Sequence, residues 1–191
     1  MKLHVFIASS KFAQEDKRPL VILAEQSFEV SRNSTGKRLG ADDLIVQARG
    51  AEAVIAGLEV YDRRVLDGLP TLRCISRCGV GMDNIDLSAV REKNVAVFNT
   101  PDVVVQPVAE LTLAMIFDLL RRLTFHTELM RQKKWERLNG FELKGRKVGV
   151  IGLGRIGHRV AELLKKLEAD VYGYDMAPDK IWADALGVKL L

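Results

Sequence analysis

The segment Lys147-Val-Gly-Val-Ile-Gly152-Leu153-Gly154-Arg155-Ile156-Gly157 places three glycines in the pattern Gly-x-Gly-x-x-Gly, and the acid Asp175 closes the next apolar stretch. The apolar run 147–151 reads as a strand and 155–167 as an amphipathic helix, so the glycines fall on a strand-to-helix turn. On such a turn Gly152 permits a tight exit from the strand. Gly154, without a side chain, lets the backbone approach a pyrophosphate, and Gly157 lets helix and strand pack closely. Phosphate charge is then met by unpaired N–H groups at the positive end of the helix dipole. A carboxylate at Asp175 can accept hydrogen bonds from both hydroxyls of an adenosine ribose and would repel a 2′-phosphate, and the neighbouring Met176 offers no positive charge. The spacing therefore predicts a dinucleotide site built on Gly152, Gly154, Gly157 and Asp175, with NAD favoured over NADP.

Other reactive side chains form no comparable pattern. Cys74 and Cys78 stand four apart in an expected strand, which separates them by about 13 Å, too far for a disulfide that needs Cα atoms within roughly 7 Å. They read as small buried apolar residues. The three histidines, His4, His126 and His158, share no ligand spacing, so no metal site is expected. His158, on the helix after the third glycine, reads as a surface residue. Gly36-Lys37 lacks the upstream glycine and the metal-binding hydroxyl of a phosphate loop, and Asn33-Ser-Thr35 matches a glycosylation sequon without any secretory context.

Strand-like and helix-like segments alternate along the chain, the rhythm of a parallel α/β protein. Strands are expected at 3–8, 28–31, 53–56, 73–76 and 95–98, with helical stretches at 19–26, 41–48, 62–66 and 86–93; Asp86 suits an N-cap. These make a first domain over residues 1–100. Asn99-Thr-Pro101-Asp102 marks a turn or hinge. Pro107 suits the first position of a helix, Glu110 its first turn and Arg121-Arg122 its last. That helix is apolar almost all round, which suggests burial between layers or in a subunit interface, and at about 14 residues it is too short to span a bilayer. A polar arm containing Trp135 follows. Residues 101–191 then supply the first half of a dinucleotide fold, which requires a second βαβ half; the chain thus reads as truncated within that domain.

At 191 residues, with 48% hydrophobic and 28% charged residues, the chain is an ordinary globular protein able to bury a core. The net charge of +4 is modest, and its basic doublets are scattered without interleaved aromatics, so nucleic acid is not an expected partner. The apolar start around His4 is too short for a signal peptide and reads as a first strand. No membrane association is expected, and a cytoplasmic location fits.

Three segments resemble the D-isomer-specific 2-hydroxyacid dehydrogenases, in particular their phosphoglycerate dehydrogenase-like branch. They are Ile75-Ser-Arg77-Cys-Gly79-Val80-Gly81-Met-Asp83-Asn84-Ile-Asp86; Asn99-Thr-Pro101 with Pro107-Val-Ala-Glu110-Leu-Thr-Leu-Ala114 and Arg121-Arg122; and Leu143-Lys-Gly145 through Gly157 with Asp175. The resemblance implies two Rossmann-like parallel-sheet domains, a flavodoxin-like substrate-binding domain and a dinucleotide-binding domain with a dimerisation helix and arm, the second incomplete. It implies that Gly79, Val80 and Gly81 bind the substrate carboxylate through backbone N–H groups. A Gly-x-Gly turn after a strand readily forms such an anion nest, although a plain tight turn would look the same. It also implies that Arg155 and Ile156 touch the pyrophosphate, with Leu153 part of the same cofactor site, and it implies a small 2-hydroxy or 2-keto acid substrate, NAD as cofactor and a homodimer. The family's catalytic Arg, Glu and His would lie beyond Leu191, so no catalytic residue is expected within this chain. Where the phosphoglycerate branch often carries an Asn and a hydroxyl residue after Thr-Pro, this chain has Val103-Val104-Val105. Glyoxylate, hydroxypyruvate and other 2-keto acids therefore stay open as substrates.

The expectation is an NAD-dependent oxidoreductase interconverting a D-2-hydroxy acid and its 2-keto acid, present as an N-terminal portion that is inactive alone. The alternative is a non-catalytic NAD-binding and dimerisation module.

Overall fold

Short runs of β-branched and apolar residues, each followed by a helix-forming stretch, pair in parallel because a helical crossover returns the chain to the same end of the sheet. The computed structural model describes residues 2–191, which divide into two units, Met1–Pro101 and Asp102–Leu191. In the first unit, β1 (His4–Ile7), β2 (Glu29–Arg32), β3 (Ala53–Ala56), β4 (Cys74–Arg77) and β5 (Ala96–Phe98) form one sheet. Its order is β2-β1-β3-β4-β5, and every pairing is parallel. This is the flavodoxin-like order, in which ligands bind beyond the carboxyl ends of the strands. Crossovers are made by α1 (Arg18–Glu25), α2 (Ala41–Gln47), α3 (Arg63–Gly68) and α4 (Leu87–Glu92).

Strand β1 buries Val5, Phe6 and Ile7 in succession, as a strand covered on both faces must. Phe6, Leu44, Val54, Tyr61, Leu66 and Ile75 anchor the cluster around it. Each fully buried apolar side chain of this size contributes roughly 1.5–3 kcal/mol. The starts of α3 and α4 are fixed by acids. Asp62 accepts the Val65 N–H at 2.9 Å, and Asp86 accepts those of Ser88 and Ala89 at 3.0 and 2.9 Å, which confirms Asp86 as an N-cap.

The second unit opens with α5 (Val105–Arg121) and α6 (Leu123–Arg131). Helix α5 begins two residues before the expected point. Pro107 therefore occupies its third position and Glu110 lies beyond its first turn, but a proline there still removes only an N–H that a helix start leaves unpaired. Only Ala109 of α5 is buried. Leu113, Ile116, Phe117 and Leu120 pack partly into the core, whereas Leu111, Met115 and Leu119 are exposed. The helix thus has one packed face and one open apolar face rather than all-round burial. It stops where Arg122 turns left-handed, at φ 53°, and Asp118 accepts both the N–H and the hydroxyl of Thr124 at 2.7 and 2.6 Å to start α6. Residues expected to begin a polar arm are therefore partly helical.

After this come β6 (Lys147–Ile151), α7 (Arg155–Lys166), β7 (Asp170–Tyr174), α8 (Lys180–Leu186) and β8 (Lys189–Leu190). The sheet order is β6-β7-β8, again parallel throughout. Helix α7 buries Val160, Ala161 and Leu164 in a core shared with Val171 of β7 and Ala183 of α8. A five-stranded parallel sheet accompanied by a smaller parallel sheet is the α/β class expected. Among the described residues, no helix is long and apolar enough to cross a membrane.

Candidate functional site

At the carboxyl end of β6 the chain leaves the strand through Gly152, whose φ of 89° is open to glycine but strained for other residues. Its N–H donates to the Tyr174 carbonyl at 2.8 Å, so the turn stays tied to β7. Leu153 points inward, and its side chain packs where a Cβ on Gly173 would intrude, so the middle of the motif is anchored in the core. Gly154 caps α7 without a side chain, and nothing lies within 4 Å of where its Cβ would stand. The surface above this amide is therefore open to a ligand. A Cβ on Gly157 would collide with the Gly152 carbonyl oxygen, which makes the third glycine a requirement of helix-on-turn packing. The first helical bond runs from the His158 N–H to the Gly154 carbonyl at 2.8 Å. The N–H groups of Arg155, Ile156 and Gly157 precede it and are unclaimed by the helix, the arrangement that favours an anion.

The Asp175 carboxylate faces this turn. One oxygen accepts the Leu153 N–H at 2.7 Å and the other accepts the Ala177 N–H at 2.9 Å. Those two amides, Ala177 first, hold its carboxyl below the usual carboxylate range. Each oxygen retains a lone pair, so the group can still accept a pair of hydroxyls. The Arg155 guanidinium pairs with Asp102 at 3.2 Å, an exposed contact within the same unit. Thus Gly152, Leu153, Gly154, Arg155, Ile156, Gly157 and Asp175 gather at one end of the second sheet. Their open glycine cap, unclaimed amides and tethered acid fit an adenine dinucleotide. His158, expected at the surface, is instead half-buried, with its ring stacked on Trp182.

In the first unit the turn Gly79-Val80-Gly81 follows β4. Gly79 has φ 138°, and a Cβ there would press on the Arg77 guanidinium, so conformation and space both demand glycine. Its N–H is already committed to the Thr100 hydroxyl at 2.9 Å, and the Thr100 N–H returns to the Gly79 carbonyl at 3.0 Å. Asn99 donates to the Val80 carbonyl at 2.8 Å. Asn99 and Thr100 therefore brace the turn, which leaves the amides of Val80 and Gly81, rather than all three, to meet an anion.

Beneath the turn lie polar groups that sequence reasoning did not single out. Glu59 is 2% exposed and accepts the Gly57 N–H at 2.8 Å; Arg77 is 9% exposed and donates to the Cys78 carbonyl, with its Nε unpartnered. Burial, and then the Glu59 charge, push the neighbouring Tyr61 phenol up. The only signal in the sequence was the closeness of Arg77 to the glycine turn; Glu59 and Tyr61 stand about twenty residues before it. Cys74 is half-buried and Cys78 exposed, both free, so the expectation of two buried thiols holds only in part. No cluster of His, Cys, Asp or Glu suited to a metal occurs among the described residues. The His4 ring bonds the Ser31 hydroxyl at 2.6 Å while its backbone N–H donates to Glu52 at 3.4 Å, and among the described residues no imidazole hydrogen-bonds a carboxylate.

Comparison with known proteins places this geometry. The chain is 35% identical over 167 residues to D-3-phosphoglycerate dehydrogenase of Methanocaldococcus jannaschii, covering 85% of this chain and 32% of that protein. It spans about a third of the length of the curated relatives it matches. Among solved structures, it matches D-lactate dehydrogenase of Escherichia coli at a TM-score of 0.81 and 28% identity, over 100% of this chain and 60% of the other. It matches NAD+-bound 3-phosphoglycerate dehydrogenase of Entamoeba histolytica at 0.76 and 25% identity, over 94% and 56%. The model for the D-isomer specific 2-hydroxyacid dehydrogenase catalytic domain matches residues 7–181, and with both glycine turns on parallel strand ends the chain belongs to that family.

Proposed function

We propose that this chain is the N-terminal portion of an NAD-dependent oxidoreductase that interconverts a D-2-hydroxy acid and its 2-keto acid. Residues 1–100 form the substrate-binding domain, and residues 101–191 the first half of the nucleotide domain. The carrying observation is the Asp175 carboxylate, tethered to the Leu153 amide so that it sits beside the glycine turn. A ribose diol finds two acceptors there, while a 2′-phosphate meets a negative charge, so NAD is the preferred form. The bound cofactor supplies the hydride acceptor or donor for C2 of the acid. This chain's residues do the holding. The first-turn amides of α7 take the diphosphate, Asp175 takes the ribose, and the Val80 and Gly81 amides take the substrate carboxylate.

The acid/base pair and the arginine of the reaction are expected outside these 191 residues, so the chain alone binds NADH without turnover. Val103-Val104-Val105 departs from the pattern of the phosphoglycerate branch, so glyoxylate, hydroxypyruvate and other small 2-keto acids stay open beside phosphoglycerate. The open apolar face of α5, at Leu111, Met115 and Leu119, supports pairing with a second copy.

The test is calorimetric titration of the 191-residue chain with NADH, for wild type and Asp175→Ala. Saturable binding that weakens in the variant is expected, and binding unaffected by the substitution refutes the ribose assignment. A form extended through the second βαβ half should oxidise NADH with small 2-keto acids. No NADH consumption with any of them would falsify the oxidoreductase reading.

A further inference from the structure

His158 and Trp182 have no part in the function proposed above, yet the structure joins them beside the acid that carries it. His158 stands in the first turn of α7, directly after the glycine that touches the Gly152 carbonyl. Its imidazole lies 3.7 Å, centroid to centroid, from the Trp182 indole, with the planes 18° apart. Its Nε2 is buried and has no hydrogen-bond partner. A ring nitrogen left unsatisfied opposes burial, so the imidazole is held by the stack and not by polar bonds. Asp179 caps α8 by accepting the backbone N–H of Trp182 at 3.0 Å, and the Trp182 side chain packs against the core of the second unit.

The segment from Asp175 to Asp179 links β7 to α8, and both of its ends are fastened to the glycine-turn element. At one end Asp175 holds the Leu153 amide, and at the other Trp182 stacks on His158. Between them Met176 is 94% exposed. The direction of the Asp175 carboxylate thus depends on a short link whose far end is placed by the buried Ala183 on one face of α8 and by the Trp182–His158 stack beside the glycine turn.

We propose that the His158–Trp182 stack is a positioning pair that aims Asp175, and so sets ribose recognition and the discrimination between NAD and NADP. This rests on the dinucleotide reading above. Neither ring touches the reacting atoms. Loosening the stack lets the carboxylate drift from the ribose hydroxyls, which weakens NADH. The carboxylate only repels the 2′-phosphate of NADPH, so loosening it does not weaken that already poor binding. General destabilisation would instead weaken both cofactors together.

The experiment is calorimetric titration of the 191-residue chain with NADH and NADPH, for wild type, His158→Ala, His158→Phe, Trp182→Leu and Asp175→Ala. His158→Ala should weaken NADH about fivefold, the scale of one aromatic pair, and weaken NADPH by less than about twofold, if at all. His158→Phe, which keeps a stacking ring, should stay within about twofold of wild type for both cofactors. Trp182→Leu, which covers the imidazole without stacking on it, should reproduce the selective loss and decides the matter if His158→Ala does not fold. The proposal is overturned by wild-type NADH affinity in His158→Ala or Trp182→Leu, by equal weakening of NADH and NADPH, or by His158→Phe behaving like His158→Ala. Failure of wild type to bind NADH removes the dinucleotide reading and this proposal together. Weakening by Asp175→Ala without weakening by His158→Ala removes this proposal alone.

Discussion

The first sheet and the second divide labour differently. In the first, β1 and β3 each have partners on both edges, and eighteen buried residues form a continuous cluster around them. In the second the corresponding cluster has nine, and among the described residues β6 pairs only with β7, its last residue Ile151 being 88% exposed. Yet β6 leads into the glycine turn. Burial therefore stabilises one region, while the candidate nucleotide site in the other is shaped mainly by bonds from main-chain amides: Gly152 to the Tyr174 carbonyl, and Leu153 to the Asp175 carboxylate. A site built this way is geometrically exact but locally easier to open, because few buried apolar contacts resist a fluctuation.

The contrast can be broken most forcefully from the better-packed side. Phe6→Ala removes a fully buried ring from β1 and should destabilise the first unit by about 3–5 kcal/mol. Both tryptophans, Trp135 and Trp182, lie in the second unit, so fluorescence during urea unfolding reports that unit alone. The circular dichroism transition should move to lower urea while the fluorescence midpoint holds. Coincident shifts would show that the two units unfold together.

Gly157→Ala attacks the other side. Its methyl group meets the Gly152 carbonyl, so the turn must distort at a cost of about 1–3 kcal/mol, with NADH affinity expected to fall at least about tenfold. Calorimetry should show the lost binding, and the first unit's unfolding should be unchanged.

A pH titration sharpens the same point. Because the Ala177 and Leu153 amides lower the Asp175 carboxyl, its contribution is fully present above the unfolded-state value of about 4. It is lost as pH falls through the depressed folded value. NADH binding should accordingly be flat from about pH 5 to 8 and decline below about 4. A decline centred near neutrality would assign the ribose contact to a different group.

The smallest effects compare helix starts. Asp86→Ala in the first unit and Asp179→Ala in the second each remove an N-cap and should cost about 1 kcal/mol, read as separate shifts of the dichroism and fluorescence midpoints.

Much of this was legible because local chemistry and fold agree. The glycine spacing, the acid after the next strand and the Asp86 cap are each decided within a few residues, and the alternating rhythm leaves a parallel sheet as the natural solution. What escaped the sequence depends on neighbours distant in the chain. The apolar stripe of α5 predicts burial, but hydropathy cannot say that Leu111, Met115 and Leu119 face away from the core. Helix α6 depends on a left-handed Arg122 and on Asp118 reaching Thr124, neither of which has a periodic signature. Cys78 is exposed because β4 ends one residue earlier, at Arg77. The commitment of the Gly79 amide to Thr100 joins residues twenty-one apart in sequence. The stack of His158 on Trp182 likewise spans two helices.

The tether on Asp175 also bears on kinetics. Both of its hydrogen bonds come from main-chain amides of this same chain, so the acceptor is already oriented when an incoming nucleotide arrives. Little ordering entropy then opposes capture, and no folding of a loop gates it. Association should proceed in one exponential phase whose rate rises linearly with nucleotide concentration, and differences between cofactors should reside in how quickly each escapes.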